Sequence, residues 1–557
     1  MKTKPNKFFL LFFFIFSFLL IHAQETWEVI YHRSVAGEID TTYTKKLLYQ
    51  NGVTCLSDSG SKIQEFIDYN RKVVVDMLDY QGNKYKAVQA FDSLKQPEKI
   101  TEGDTILGYP CRKAIFKAFS NTIEIWFTTE TIPKGAIYKN YLPDDGLVLQ
   151  VMINGGRKLV AAEINKLPAK TSCPYPFNDA VTISMPEYRE LQIKSRYVTV
   201  PVFEKQQINF GDSLVNPDSG LPDTTYRFSK GTVIMKKVKL PDISREGALA
   251  YVALTEWSNG DAYDRTGSVF YIPEGKELTM LDALEKGLEI LPVIEDNDGR
   301  KYQGIVSTDK YNVPVELMRF FTPFGVSHFN HFREIHNYPW ADSAFYKEEI
   351  TSLLPDTLDE IWVGVFIGNY DKGGHVVSLE LNFYPGWEEE NTDKKYIDPL
   401  FSTVNIMEMS GQNYGRLFGS DTLRTDFVLP EGVQDLQLVY TTTGHGGWGG
   451  GDEFNPKRNR IFIDGKQIFD HIPWRTDCAT YRMLNPASGN FGNGMSSCDL
   501  SRSNWCPGTL TVPFFIPLTQ LKPGEHTIEV VIDQGKNEGN SFSHWQVSGV
   551  LTGIVTE

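Results

Sequence analysis

Histidine is scarce in this chain, 10 residues in 557, and its six cysteines are widely scattered. None of Cys55, Cys111, Cys173, Cys478, Cys498 and Cys506 lies in a CxxC pair, which excludes zinc ribbons and thioredoxin-type redox chemistry. His328, His331 and His336 lack HxH or HExxH spacing and read as loop or packing residues. The acidic run Glu295-Asp296-Asn297-Asp298-Gly299 reads as a turn, because the later bidentate glutamate of an EF-hand loop is missing. No metal or other cofactor is therefore expected. Basic blocks are also absent. With a formal charge of −15 and a pI near 5.3, the chain has no surface suited to tracking phosphates, so nucleic acid is not an expected partner. Helical periodicity is scarce too, Leu281–Leu288 being the best short segment. Beyond the first residues no stretch approaches the roughly 20 apolar residues that a bilayer needs.

What is present begins with an export signal. Lys2, Lys4 and Lys7 precede an apolar run from Phe8 to Ile21, and small Ala23 stands before Gln24. This is the pattern of a signal peptide, cleaved near Ala23 and leaving no membrane anchor. A secreted or periplasmic protein follows, in a compartment where some cysteines pair, although sequence does not choose the pairing. At about 150 residues per domain, the remaining chain holds three or four domains.

Short runs of β-branched and aromatic residues, broken by turn residues, fill the rest. Examples are Thr122–Phe127, Leu249–Leu254, Ile361–Ile367, Val376–Phe383, Leu436–Tyr440 and His526–Asp533. Asn259-Gly260 and Asp464-Gly465 are turn dipeptides. Many short strands with Gly and Pro between them predict an all-β protein of sandwiches or barrels. Polar, proline-containing seams divide it into a β domain at 24–165, a linker at 166–196, and further domains at 197–385 and 386–557.

Three constellations stand out. The first is Thr255-Glu256-Trp257-Ser258-Asn259-Gly260-Asp261-Ala262-Tyr263-Asp264-Arg265, followed by strand-like Ser268–Ile272. An Asp beside an Arg at the mouth of a strand fits a charged catalytic acid and equally a surface ion pair. The second is Gly444-His445-Gly446-Gly447-Trp448-Gly449-Gly450-Gly451-Asp452-Glu453. Its glycines let a ligand approach the backbone, Trp448 offers a flat face to a sugar, and Glu453 brings a carboxylate. The competing reading is a flexible loop with a solvated Glu. The third is Arg502-Ser503-Asn504-Trp505-Cys506-Pro507-Gly508, a Trp–Arg pair in a loop that a disulfide would pin.

These three, in this order, resemble the peptide:N-glycosidase F family, bacterial amidases that release N-linked glycans from asparagine. Glu204-Lys205 to Asn209-Phe210-Gly211-Asp212 is similar to the opening segment of that family. Arg319-Phe320-Phe321-Thr322-Pro323-Phe324-Gly325-Val326 is similar to a motif strand of it. The resemblance covers roughly 197–555 and implies two antiparallel jelly-roll sandwiches side by side, with the site in the cleft between them. It implies Asp264 as the essential aspartate, Glu453 as the second acid, and Arg265, Lys372, Trp448, Arg502 and Trp505 as substrate-binding residues. It also implies a Cys478–Cys506 bridge. The family's third acid should fall near Ile367-Gly368-Asn369, where no Glu stands, and the aromatic after its Asp-Arg is Thr266 here. In residues 24–165, Gly108-Tyr109-Pro110-Cys111 and Tyr141-Leu142-Pro143-Asp144-Asp145-Gly146-Leu147 resemble the GLPGLI family of exported proteins from Bacteroidetes. That implies a mainly β accessory domain and a Gram-negative source of that type.

The activity so implied is hydrolysis of the bond between asparagine and N-acetylglucosamine in N-linked glycoproteins or glycopeptides, by a monomer. Such a site requires two docked sandwiches, with Arg319–Val326 and Leu436–Tyr440 as strands at the junction. Competing readings are a non-catalytic glycan-binding protein, a glycosidase cutting between sugars, and a copper monooxygenase of the peptidylglycine type. The last shares paired sandwiches but needs closely paired His ligands and a Met.

Overall fold

The structure is a computed structural model that describes residues 25–35, 38–56, 62–143, 145–168, 173, 175–211, 214–217, 221, 223–245, 248–386, 394–446, 450–537 and 540–555. The expected signal peptide and Trp448 lie outside the described residues. The chain forms two compact units that part between Ser195 and Arg196. Among the described residues no helix is long and apolar enough to cross a membrane.

The first unit is built on a twelve-stranded sheet, largely an antiparallel meander, in which Thr26–Val35 pairs with both Glu38–Gln50 and Arg157–Leu167. Its main core gathers Tyr31, Phe116, Ile125, Trp126 and Leu149. The stretch 166–196, expected as a linker, belongs to this unit as far as Ser195. Val181–Thr182 joins the sheet edge parallel to Asn83–Ala90, and Met185–Lys194 forms an α-helix. That helix is specified by its start: Ser184 and Glu187 exchange the two bonds of a capping box, with Pro186 in the first turn. Only Tyr188 is buried, its hydroxyl donating to Met77 O at 3.3 Å, so no apolar stripe marks the helix in the sequence.

The second unit holds two β-sandwiches. The first packs the sheet of Val198–Ile208, His375–Tyr384, Leu249–Ser258 and Ala344–Glu349 against a six-stranded sheet. The latter contains β1 (Thr266–Ile272), β2 (Val315–Phe321), β3 (Glu360–Ile367) and β4 (Leu510–Thr511). Both sheets feed one core, with Val252, Leu254 and Leu379 facing Val269, Leu317 and Val363. The second sandwich packs Lys394–Ser402, His544–Val555, Val433–His445 and Phe514–Pro517 against Leu423–Leu429, Gly524–Ile532, Asn459–Ile463 and Lys466–His471. Asp464-Gly465 makes its hairpin with φ of 50° and 74°, the positive pair that a type I′ turn requires. The expected helix near Leu281 is Met280–Lys286, capped by Thr279 and ended by Gly287 at φ 113°.

The sandwiches are locked together by more than apolar contact. β4 comes from the C-terminal half of the chain, yet it pairs with β2 of the first sandwich. Val439 and Val550 of the second sandwich lie in the first sandwich's core. Arg319, 1% exposed, grips Glu316 at 2.7 and 2.6 Å and also donates to Thr443 Oγ1 at 3.0 Å and Gln546 O at 2.8 Å across the junction. Ser548 Oγ completes the network by donating to Glu316 at 2.5 Å. Removing Arg319 or Glu316 would leave a buried charge uncompensated, and the contacts of that pair to Thr443, Gln546 and Ser548 tie it across the junction.

Candidate active site

Asp264 stands in the loop before β1, and Thr322 holds the backbone on either side of it. The Thr322 hydroxyl donates to Tyr263 O at 3.1 Å and accepts from Arg265 N–H at 2.8 Å, while Thr322 N–H donates to Arg265 O at 2.9 Å. The threonine of the Arg-Phe-Phe-Thr-Pro run thus positions the aspartate.

Glu453 arrives from the second sandwich, on the turn after the strand Val433–His445. Its neighbour Asp452 is fully buried and acts as the anchor, accepting from Trp545 Nε1 at 2.8 Å and from Gly535 N–H at 3.0 Å. Ser503 donates to Asp452 O at 2.6 Å through its hydroxyl and to Glu453 O at 3.0 Å through its N–H. Of two adjacent acids, one is consumed by the fold and the other is delivered to the site.

The two carboxylates meet on Arg502. Its Nη1 pairs with Glu453 Oε1, and its Nη2 lies 3.2 Å from Asp264 Oδ2. Arg502 is 1% exposed. It rests over the Trp505 ring at 4.4 Å and near Phe454 at 4.9 Å. Trp505 stacks in turn on Phe321 at 4.3 Å and donates through Nε1 to Gly444 O at 3.0 Å. Arg475 and Arg502 exchange backbone bonds, Arg475 is held by Asp477, and the Cys478–Cys506 disulfide closes the same loop.

Two of the residues expected to bind substrate are nearly buried. Arg502 and Trp505 were expected to touch substrate, but Arg502 is 1% and Trp505 3% exposed. Burial makes the arginine a clamp between the acids and the tryptophan its platform. Arg265 is likewise engaged, its Nε and Nη2 reaching both oxygens of Asp261 at 2.7 and 3.3 Å. Lys372 is exposed on a turn that Asn259 binds through Gly373 O and Gly374 O, and no ion pair joins it to either acid.

Electrostatics follow from burial. Desolvation raises Asp264 above the ordinary carboxylate range, against the pull of Arg502 and Arg265. Burial also raises Glu453, to about 7, against Arg502 and with help from the negative charge of Asp264. Two carboxyls around one guanidinium therefore both bind a proton more readily than free carboxyls do.

Behind them runs a fully buried chain that the sequence did not suggest. Asp261 Oδ2 lies 3.6 Å from His375 Nε2, and His375 Nδ1 lies 2.8 Å from Glu256 Oε1. Burial alone would lower His375, but Asp261 and Glu256 raise it to about 9, so the ring is cationic. Burial likewise opposes ionisation of Asp261, yet His375 and Arg265 hold it at about 2. Burial raises Glu256 against the pull of His375, and Glu256, His375, Asp261 and Arg265 stand in line behind the loop that ends at Asp264. His375 and Glu256 meet because their strands pair antiparallel, with Ser258 opposite His375.

The rim carries two exposed aromatics, Tyr263 at 62% and Tyr370 at 58%, whose rings lie 5.1 and 5.8 Å from the Arg265 guanidinium. Gly368 stands where the third acid was expected, and a Cβ added there would lie 2.7 Å from Glu408 Oε2. Glu408, from the second sandwich, thus occupies the space beside Gly368. It accepts from the Tyr370 hydroxyl at 2.7 Å and from the Tyr414 hydroxyl. Nothing in the local sequence joins Glu408 to Gly368; only the docking of the sandwiches does. His328, His331 and His336 are exposed on the loop after Phe324.

Residues 199–383 match the family model for Peptide-N-glycosidase F, N terminal, and residues 413–552 its C-terminal counterpart. Residues 63–189 match a model described as N-glycanase peptide, N-terminal domain. A solved structure of PNGF-II in space group C2 is similar at 40% identity with a TM-score of 0.81, covering 96% of this chain and 99% of that one. A second, in P21, is 39% identical with a TM-score of 0.84, covering 95% and 99%. None of the curated proteins compared with the chain matches it. By sequence and fold over nearly its whole length, the chain belongs to the peptide-N-glycosidase F family.

Proposed function

We propose that this protein is a secreted amidase that hydrolyses the bond between the asparagine side chain and N-acetylglucosamine in N-linked glycoproteins or glycopeptides. The glycan leaves as its glycosylamine and the asparagine becomes aspartate. One observation carries the reading: acids from two different sandwiches converge on a single buried arginine, with both pKa values raised.

Amide hydrolysis needs a base for the attacking water and a proton for a poor amine leaving group. Two neighbouring carboxyls of raised proton affinity offer both, one ionised as base and one protonated as acid, and such help is worth about 10²–10⁴-fold. Asp264 is the acid/base at the scissile amide, and Glu453 holds and polarises the water. Water adds its oxygen to the carboxamide carbon, the C–N bond breaks, and the departing nitrogen takes the proton. Arg502 keeps the pair in register, while Arg265, held by Asp261, adds a positive charge beside Asp264. Tyr263 and Tyr370 offer flat faces for the sugars nearest the bond. Glu408 supplies a third carboxylate at the rim, fixing Tyr370 in place. The sequence pattern of Lys2, Lys4 and Lys7 before the apolar run Phe8–Ile21 and Ala23 supports export.

Incubation with a glycopeptide in ¹⁸O water, followed by mass spectrometry of the peptide, tests this directly. Labelled aspartate at the former glycosylation site is expected. A peptide that keeps asparagine with a sugar remnant would mean a glycosidase, and an untouched glycopeptide that nevertheless binds would mean a glycan-binding protein.

A further inference from the structure

Four cysteines stand outside the Cys478–Cys506 bridge, and the first unit brings two of them, Cys55 and Cys173, side by side. Cys55 ends the strand Val53–Cys55, opposite Leu48 on one flank and Phe66 on the other. Cys173 comes far later, after the strand Arg157–Leu167. The two are 5% and 9% exposed and share one apolar cluster with Phe66, Val75 and Met77. Their thiols are in hydrogen-bonding contact. Neighbouring contacts fix the approach: Cys173 N–H donates to Gln50 Oε1 at 3.3 Å. Tyr175 packs its ring 4.8 Å from Phe66, the cross-strand partner of Cys55.

The remaining cysteines are placed differently. Cys111 lies in the other main core of that unit, with Phe116 and Trp126, and its thiol donates to Tyr109 O at 3.5 Å. Cys498 belongs to the second unit, its sulfur 3.4 Å from Ser496 Oγ and 3.3 Å from Asp499 Oδ1.

We infer that Cys55 and Cys173 are joined as a second disulfide in the exported protein, tying the segment that leads to the helix Met185–Lys194 onto the sheet. The inference rests on the reading of an exported chain. The chemistry is thiol–disulfide exchange with a disulfide donor, either an oxidoreductase or oxidised glutathione. One thiolate attacks the donor disulfide, and the second displaces the donor from the mixed disulfide. One S–S bond forms in the chain and one breaks in the donor. Two electrons pass to the donor, whose sulfurs leave as thiols with the two protons. Contact with Cys55 and burial hold the Cys173 thiol well above the ordinary thiol range. The thiolate is therefore scarce once the unit has folded, and the bond forms during folding, while the segment is accessible.

The full chain, refolded in a glutathione redox buffer, is denatured with an alkylating reagent present, digested without reductant and mapped by mass spectrometry. The expected result is a Cys55–Cys173 peptide pair, two hydrogens lighter than its separate reduced peptides, with Cys111 and Cys498 alkylated. The Cys478–Cys506 pair serves as the control that conditions were oxidising. Alkylated Cys55 and Cys173 beside an intact Cys478–Cys506 bridge would overturn the inference, as would either cysteine linked elsewhere. A second measurement does not depend on mapping. Cys173→Ser is expected to speed limited proteolysis around residues 173–180 to the rate of the reduced wild type, and equal rates for oxidised wild type and variant would count against the bond.

Discussion

Replacing Arg502 by lysine asks most of the site, because one guanidinium holds both acids. Its fork reaches Glu453 through Nη1 and Asp264 through Nη2, and a single ammonium cannot reproduce both contacts. The side chain is 1% exposed, so what is lost is the buried ion pair to Asp264 or the charge-assisted hydrogen bond to Glu453, a contact of the kind worth about 1.5–3 kcal/mol. Arg502 also opposes the rise in both carboxyl pKa values, so weakening its hold moves the pair further upward. The ionised fraction at neutrality then falls. The acidic limb of the activity profile should move to higher pH in Arg502→Lys, with kcat/KM down about 10²-fold or more at neutral pH. Thermal unfolding should fall by a few degrees, on the order of that lost contact. Assaying labelled aspartate from a glycopeptide in ¹⁸O water across the neutral range reads the profile, and calorimetry reads the stability. A variant with an unmoved acidic limb and activity within a few-fold of wild type would refute the reasoning.

Asp264→Asn should retain its fold and glycopeptide affinity while losing about 10²–10⁴ in kcat, measured by turnover beside calorimetric binding. Glu408→Gln should raise KM more than it lowers kcat, because Tyr370 loses its charged anchor; a kcat loss equal to that of Asp264→Asn would instead place Glu408 in the proton transfer. His375→Gln should remove stability that depends on pH in a defined way. The folded pKa of His375, about 9, exceeds the ordinary 6.5, so its contribution is fully present below pH 6.5 and is lost as pH rises through 9. That contribution is about 3 kcal/mol, and denaturant titration of wild type and variant should show a gap at pH 6 that closes above pH 9. A gap that is flat with pH would show that the ring is neutral.

Much of this architecture was legible in the chain. The β-branched run His526–Asp533 and the turn at Asp464-Gly465 became a strand and a hairpin, because strand propensity and turn chemistry are local properties. The helix Met185–Lys194 escaped because its cap, rather than an apolar stripe, defines it. The stretch around it read as a linker for the same reason.

For the site, the sequence by itself determined which residues were available: an Asp-Arg step at the mouth of a strand, a Glu after a glycine run, and an Arg beside a Trp in a loop pinned by cysteines. Their order along the chain identified the family. Tertiary structure decided what each one does. Arg502 and Trp505 became clamp and platform because packing buried them, and burial set the proton affinity of Asp264 and Glu453. His375 met Glu256 through strand pairing and Asp261 through the loop that follows, and Glu408 reached Gly368 only where the two sandwiches dock. Charge, depth and long-range pairing belong to the folded surface, and no local run of residues encodes them.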